Sequence, residues 1–123
     1  MPGKREVGLA GEEAAARYLK RQGLRILARN LRLGRLGELD IVARERAVLA
    51  FVEVKSRMAG EILGGFENIT LAKQRKLYEL GERYLYQYGG DHKAVRFDAV
   101  EVVFADPALK RCEITYLRDA FRL

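Results

Sequence analysis

Two short segments of alternating polarity, Gly37–Ala43 and Phe51–Lys55, constrain this chain more than any other part of its sequence. Apolar residues at alternate positions are typical of a β-strand with one packed face. The two segments lie close together in the chain, which predicts a hairpin. Their polar positions hold three carboxylates and one lysine: Glu38, Asp40, Glu53 and Lys55.

The register of this hairpin decides which polar side chains meet. We place a two-residue turn at Glu45 and Arg46. Asp40 and Glu53 then become diagonal neighbours, about 7–8 Å apart between β-carbons, and both carboxylates can reach one divalent cation. Glu38 lies opposite Glu53, which is unfavourable unless a cation or a proton separates the two charges. A shift of one residue would scatter these side chains over both faces.

The length and composition limit the remaining options. A chain of 123 residues is expected to form one domain, residues 1–123. No apolar run approaches the roughly 20 residues that span a bilayer, and no signal peptide is recognisable, so we expect a cytoplasmic protein with no membrane contact. The single cysteine, Cys112, and the single histidine, His92, argue against a disulfide and against a cysteine- or histidine-rich metal site. Oxygen ligands favour Mg²⁺ or Mn²⁺.

The positive charge is concentrated at the start of the chain. Residues 1–36 carry nine basic and three acidic residues, and residues 37–123 carry fourteen of each. This asymmetry indicates an anionic partner, although charge alone does not distinguish DNA, RNA, an acidic protein or a lipid surface. Beside acidic strands, a run of arginines is better explained by contacts to a phosphate backbone than by a solvated face. The run consists of Arg21, Arg25, Arg29, Arg32 and Arg35.

The element order predicts an α/β domain, a mixed β-sheet flanked by α-helices. Thr70 is the expected N-cap of the second helix. The glycine-containing segment Ser56–Asn68 shows no period and is predicted to be a mobile loop next to the site. The basic segment Asn30–Leu36 follows the first strand, and its glycine suggests a loop. The predicted order α-β-β-β-α-β-β comprises helix 6–22, strands 24–29, 37–43 and 51–55, helix 71–88, and strands 94–104 and 113–117.

Two further acids allow a structural and a functional interpretation. Glu12 shares a helix side with Ala15 and Leu19, so it lies either at the rim of the packed interface or aimed into a site. Asp98 is better explained as a structural partner of Arg96, or of a neighbouring basic residue, than as a catalyst.

Several motifs together resemble the YraN family of bacterial proteins. They are Gly-x-x-Gly-Glu at 8–12, Asn30, Gly-Glu-Leu-Asp-Ile-Val-Ala at 37–43, Phe-Val-Glu-Val-Lys-Ser-Arg at 51–57, Thr-x-x-Lys-Gln at 70–74 and Arg-Phe-Asp at 96–98. The resemblance covers nearly the full chain. It implies a restriction-endonuclease-like fold of the PD-(D/E)xK superfamily, related to archaeal Holliday junction resolvases. Leu39 stands where the superfamily pattern has proline.

The resemblance also implies roles for individual residues. Asp40 and Glu53 would bind Mg²⁺ or Mn²⁺, and Glu12 would add a further acidic ligand from the first helix. Lys55 would act on the reacting water or the scissile phosphate. Gln74, with Lys73 as the second candidate, would be an auxiliary catalytic residue on the second helix. Contacts to nucleic acid are expected from Arg29, Arg32, Arg35, Arg57 and Lys73.

These patterns predict a metal-dependent endonuclease that hydrolyses phosphodiester bonds in DNA, including branched or damaged DNA. One alternative is a non-catalytic nucleic-acid-binding or adaptor module that retains the nuclease fold, since fold does not fix activity. The other is a nuclease that processes RNA, because nothing in the sequence reads a 2′-hydroxyl; DNA is favoured over RNA. The resolvase relatives generally act as dimers, which favours a homodimer, although no residue identifies a two-fold interface.

Overall fold

The computed structural model describes residues 1–61 and 69–122. The predicted loop residues 62–68 therefore lie outside the described part of the chain. The element order is the predicted one, a mixed α/β domain with two helices. In chain order the elements are α1 (Lys4–Arg21), β1 (Arg25–Leu33), β2 (Gly37–Glu45), β3 (Val48–Met58), α2 (Leu71–Tyr88), β4 (Ala94–Phe104) and β5 (Cys112–Leu117).

The strands form one sheet whose spatial order, β1-β2-β3-β4-β5, follows the chain. All neighbouring strands are antiparallel except β3 and β4, which are parallel. Parallel neighbours need a long crossover, and α2 lies in the connection between them. The two faces of the sheet bury separate apolar clusters, with Ala15 and Leu19 of α1 in one and Leu77 and Leu80 of α2 in the other.

The ends of α2 follow ordinary capping chemistry. The Thr70 hydroxyl accepts a hydrogen bond from the Lys73 backbone N–H at 3.2 Å, which confirms the predicted N-cap. At the other end Gly89, with φ of 59°, follows the last helical residue and donates its N–H to Leu85. The beginning of α2 is therefore fixed in position.

Two strand boundaries differ from the sequence predictions. Residues 30–33 belong to β1, so the predicted loop over Asn30–Leu36 is reduced to a turn at residues 34–36. Ser56, Arg57 and Met58 belong to β3, so the predicted loop begins later than expected. The reason is pairing: 30–33 lie against β2, and 56–58 against the end of β4. The local composition of these segments does not show which strand each of them pairs with.

Helix α1 crosses β3 at very short range through Gly11. A β-carbon placed on Gly11 would lie 1.7 Å from the Ser56 hydroxyl oxygen and 2.6 Å from its β-carbon. The same substitution at Gly8, one turn earlier, would meet nothing within 4 Å. The two glycines of the first motif are therefore not equivalent.

Gly11→Ala is expected to lower the free energy of unfolding by about 1–3 kcal/mol, because the close contact with Ser56 forces the helix away from the sheet. Gly8→Ala is the matched control and is expected to raise it by roughly 0.5–1 kcal/mol, since alanine favours a helix. Urea unfolding followed by circular dichroism measures both. Adding Ser56→Gly should recover part of the loss at Gly11. Equal stability of the two alanine variants would contradict the close approach.

A buried polar network joins β4 to the hairpin of β2 and β3 and to the residues after β5. Asp98 is fully buried and accepts hydrogen bonds from Arg96 Nε at 2.9 Å and from the Asp119 backbone N–H, also at 2.9 Å. Arg96 reaches Glu45 as well, 2.6 Å away, and Glu45 also accepts from Arg118. The hydrogen bonds from Arg118 and Arg96 lower the pKa of Glu45 to about 2. Asp98 is thus the structural partner of Arg96 that the sequence predicted.

Candidate metal and phosphate site

The hairpin that carries the candidate residues has a different register from the predicted one. Glu45 pairs with Val48, so the two-residue turn lies one position later, at Arg46 and Ala47. Arg46 adopts a left-handed conformation, with φ of 55°, which the turn requires. The predicted pairing of Glu38 with Glu53 is therefore wrong.

The shift moves the pairing by two positions, which preserves the side of the sheet that each residue faces. Val42 pairs with Phe51 and Ile41 with Val52, and the recorded backbone pairing of β2 with β3 ends there. Continued by one position, this register would put Asp40 opposite Glu53 instead of opposite Phe51. The Glu53 carboxylate lies close enough to Asp40 to raise its pKa.

Beyond the last backbone pair of β2 and β3, the Asp40 side chain forms the next hydrogen bond between the two strands. Its Oδ2 accepts a hydrogen bond from the Val54 N–H at 2.9 Å. The strand is irregular here, because Leu39 and Val42 belong to the same apolar cluster although strict alternation would separate them. On the neighbouring strand β1, Asn30 has φ of 50°. The hydrogen bond from Val54 shows that the Asp40 carboxylate points toward β3.

Glu53 is the most deeply buried carboxylate of the candidate set, with 6% of its surface exposed. Burial, and then the neighbouring Glu53 carboxylate, raise the pKa of Asp40 well above its usual range, while the Val54 hydrogen bond acts in the opposite direction. Glu53 Oε2 is buried and accepts no hydrogen bond from any described residue. Two adjacent carboxylates in low dielectric are costly unless a proton or a cation compensates them.

A lysine of α2 supplies one positive charge. Lys73 Nζ lies 3.3 Å from Glu53 Oε2, within ion-pair distance, although its direction is not that of a hydrogen bond. The sequence predicted Lys73 as a contact to nucleic acid and as a second candidate, after Gln74, for the auxiliary catalytic position. Its position in the first turn of a helix gave no sign that it would face Glu53, because that contact depends on how α2 packs on the sheet.

Glu12 lies beside this pair, half-buried on α1. Burial raises the pKa of its carboxyl, and a hydrogen bond with Asn30 partly offsets the rise; Asp40 is also among its neighbours. Glu12 therefore looks into the protein, as its helix side predicted. Asn30, which the sequence indicated only as part of a family motif, is the side chain that partly lowers the pKa of Glu12.

Lys55 and Gln74 take different positions relative to the carboxylates. Lys55 is half-buried on β3, two residues beyond Glu53 and on the same face, with Glu101 of β4 as its register partner. Within the described ranges it forms no ion pair. The Gln74 side chain donates to the Ile69 carbonyl at 3.1 Å, so it holds the beginning of α2. Its predicted catalytic role stays a prediction.

The predicted phosphate contacts lie on β1, in the turn after it, on β3 and on α2. Arg29 donates to Glu13 at 2.9 Å, Arg32 lies 3.9 Å from Glu38, and Arg35 is exposed in the turn after β1. Exposed pairs of this kind are weak, which leaves the arginines available to a stronger anion. Arg57 is separate from them, because it lies on β3.

Arg57 has an acidic neighbour that sequence analysis missed. Its Nε lies 3.6 Å from Glu101 Oε2, and its Nη1 donates to the Glu61 carbonyl at 3.4 Å. Glu101 faces Lys55 and Arg57 only because β3 and β4 are parallel in this register, which local pattern does not reveal.

The donor set can be compared with what a metal requires. Among residues 1–61 and 69–122, no three acidic, histidine or cysteine side chains converge on one metal position, so Glu12 does not complete a group with Asp40 and Glu53. Mg²⁺ commonly uses only one or two carboxylates and keeps several waters or substrate phosphates. Two carboxylate donors, one with a buried Oε2 that accepts no hydrogen bond from a described residue, therefore fit Mg²⁺ or Mn²⁺.

The fold and the site define a small α/β domain in which a five-stranded mixed sheet carries buried Glu53 and half-buried Asp40 beside lysines of β3 and α2. The chain belongs to the uncharacterised protein family UPF0102, whose model matches residues 11–102. This is the YraN family that the sequence motifs predicted. Within the described residues, no helix has the length and apolar character needed to cross a membrane.

The similarity to members of this family extends over nearly the whole chain. The chain is 44% identical over 117 residues to the UPF0102 protein STH1475 of Symbiobacterium thermophilum, covering 95% of this chain and 97% of that protein. It is 39% identical over 118 residues to a UPF0102 protein of Caldicellulosiruptor saccharolyticus, covering 96% and 98%. A UPF0102 protein of Pelotomaculum thermopropionicum is 43% identical over 116 residues, with 94% of each chain covered.

Proposed function

We propose that this chain is a Mg²⁺- or Mn²⁺-dependent endonuclease that hydrolyses phosphodiester bonds in DNA. The observation that supports this most strongly is the pairing of half-buried Asp40 with buried Glu53, whose Oε2 accepts no hydrogen bond from a described residue. Such a pair is unfavourable for stability alone. A divalent cation would compensate the charge and would also serve phosphodiester hydrolysis.

The roles of the residues follow from their positions. A divalent cation held by Asp40 and Glu53 would polarise the phosphate and lower the pKa of a bound water. Asp40 is oriented for this by the Val54 N–H. Lys55, on the same strand face as Glu53, places an ammonium where it can offset negative charge that develops on the phosphate. Arg57 continues this row of positive charge along β3.

The basic residues of β1 support DNA as the substrate. Arg29 and Arg32 are exposed on this strand, and Arg35 is exposed in the turn that follows it. Guanidinium groups in such positions contact phosphates without reading bases, which suits recognition of branched or damaged DNA by shape. The homodimer inferred from the resolvase resemblance stays a prediction.

Calorimetric titration is expected to detect one Mn²⁺ per chain in the wild type and none in Asp40→Asn, because the amide removes one of the two anionic ligands. Asp91→Asn, a change to an exposed acid in the loop before β4, is the matched control and should bind like the wild type. Retention of full Mn²⁺ affinity by Asp40→Asn would place the metal elsewhere and remove the main support for a nuclease.

The substrate itself is identified by cleavage. Linear, flapped and four-way DNA, and RNA of the same sequences, are incubated with the protein and either Mg²⁺ or Mn²⁺. Cleavage of a DNA species that depends on the cation supports the proposal, and preferential cleavage of RNA would redirect it to RNA processing.

The ion pair between Lys73 and Glu53 favours a second candidate, a non-catalytic module that binds nucleic acid. In that case Lys73 would be the permanent counter-ion of Glu53, with no need for a metal. Salt-dependent binding of DNA that weakens when Arg29, Arg32 and Arg35 are neutralised, without Mn²⁺ binding or cleavage, would favour this candidate.

A further inference from the structure

Lys73 has a fixed backbone and a partly exposed side chain. Its N–H donates to the Thr70 hydroxyl, and the next residue, Gln74, is held by both its backbone and its side chain to the residues before the helix. The Lys73 side chain nevertheless remains 43% exposed. Its ammonium can therefore leave Glu53 for solvent without displacing α2.

Glu53 cannot move in the same way. It lies on β3 between two paired strands, and only 6% of its side chain is exposed. An ionised carboxylate in this position needs a nearby positive charge, since removal of one partner of a buried pair is strongly destabilising. Lys73 is the cation that comes within 4 Å of Glu53 in the described part of the chain.

A divalent cation at the same carboxylate would change this balance. It would carry the compensating charge itself, and an ammonium within a few ångströms would then be repelled. The two cations therefore compete for Oε2, a buried Glu53 oxygen that accepts no hydrogen bond from a described residue. One of them is tethered to the protein, and the other comes from solution.

We propose that Lys73 is an exchangeable counter-ion of the metal site: it neutralises Glu53 when no metal is bound and is displaced when a divalent cation binds. This inference rests on the proposed metal site and adds a specific role for Lys73. The ion pair stabilises the metal-free protein and at the same time weakens its affinity for the metal. Part of the binding free energy of the metal is therefore used to break an existing ion pair.

Lys73→Met tests this exchange, because methionine keeps the length of the side chain without its charge. We expect Mn²⁺ to bind roughly tenfold more tightly to this variant in calorimetry, since the competing ammonium is absent. Without metal, its melting temperature should fall by about 4–8 °C, and saturating Mn²⁺ should remove most of the difference. Lys73→Arg keeps the charge and should stay close to the wild type in both measurements.

Lys76→Met is the control for loss of a positive charge from α2, because Lys76 is exposed and has no recorded ion pair within the described ranges. It should change neither the Mn²⁺ affinity nor the melting temperature appreciably. Equal or weaker Mn²⁺ binding by Lys73→Met would overturn the exchange while leaving the metal site in place. Absence of Mn²⁺ binding in both the wild type and Lys73→Met would overturn the metal site, and Lys73 would then be a permanent partner of Glu53.

Discussion

Glu53→Gln is expected to lower the rate of metal-dependent DNA cleavage by roughly 10²- to 10³-fold at saturating substrate. The amide keeps the shape of the side chain but removes the negative charge that would hold the cation next to Asp40, and loss of a few kcal/mol of transition-state stabilisation has this effect on a rate. The variant should fold, because neutralising a carboxylate that lies against another carboxylate relieves repulsion. Single-turnover cleavage of the preferred DNA measures the loss.

The matched control is Glu113→Gln, which removes one negative charge from the exposed face of β5. It should cleave at the wild-type rate, so a loss specific to Glu53 cannot be attributed to net charge. A melting temperature for each variant separates loss of chemistry from loss of fold. If Glu53→Gln cleaves as fast as Glu113→Gln, the carboxylate pair is not the catalytic centre.

Asp98→Ala is expected to lower the free energy of unfolding by about 3–5 kcal/mol, because it leaves the Arg96 guanidinium without its buried partner. Small domains have only about 5–15 kcal/mol in total, so this variant should be largely unfolded at moderate urea concentrations. The backbone N–H of Asp119 also loses its acceptor, which should loosen the residues after β5. Urea unfolding monitored by circular dichroism gives the size of the effect.

Asp91→Ala removes an exposed aspartate and serves as the control; it should change stability by no more than about 0.5 kcal/mol. Asp98→Asn, which keeps the size and part of the hydrogen bonding, should lie between the two. A loss of less than about 1 kcal/mol for Asp98→Ala would mean that Arg96 is held by Glu45 alone. The Arg-Phe-Asp motif would then require a different explanation.

The sequence predicted the elements well because their signals are local. Alternating polarity, helical spacing and the cap at Thr70 depend on residues that are neighbours in the chain. The predicted register of the hairpin is wrong because the turn depends on a positive φ at Arg46. Glycine, asparagine and aspartate commonly adopt a positive φ, but arginine does not, so the residue type gives no sign of this turn. The predicted pairing differs from the observed one by two positions. A shift by an even number keeps each residue on its predicted side of the sheet.

The sequence was enough to predict the carboxylates of the candidate site, but not the residues that contact them. Asp40 and Glu53 follow from strand alternation, and the family resemblance selected them from the other acids. The contact of Lys73 with Glu53 depends on how α2 packs on the sheet. The contact of Glu101 with Arg57 depends on the parallel alignment of β4 with β3. These are contacts between distant parts of the chain, and no local pattern encodes them.

Strand β1 is one edge of the sheet, and an edge strand offers unpaired backbone groups to other molecules. Its pairing with β2 is interrupted between Ile26 and Ala28, and Asn30 bends it by its positive φ. Arg29 and Arg32 add charges that repel the same edge of a second copy. The arginines proposed to contact nucleic acid would therefore have a second physical effect: at high protein concentration they would oppose aggregation through this edge of the sheet.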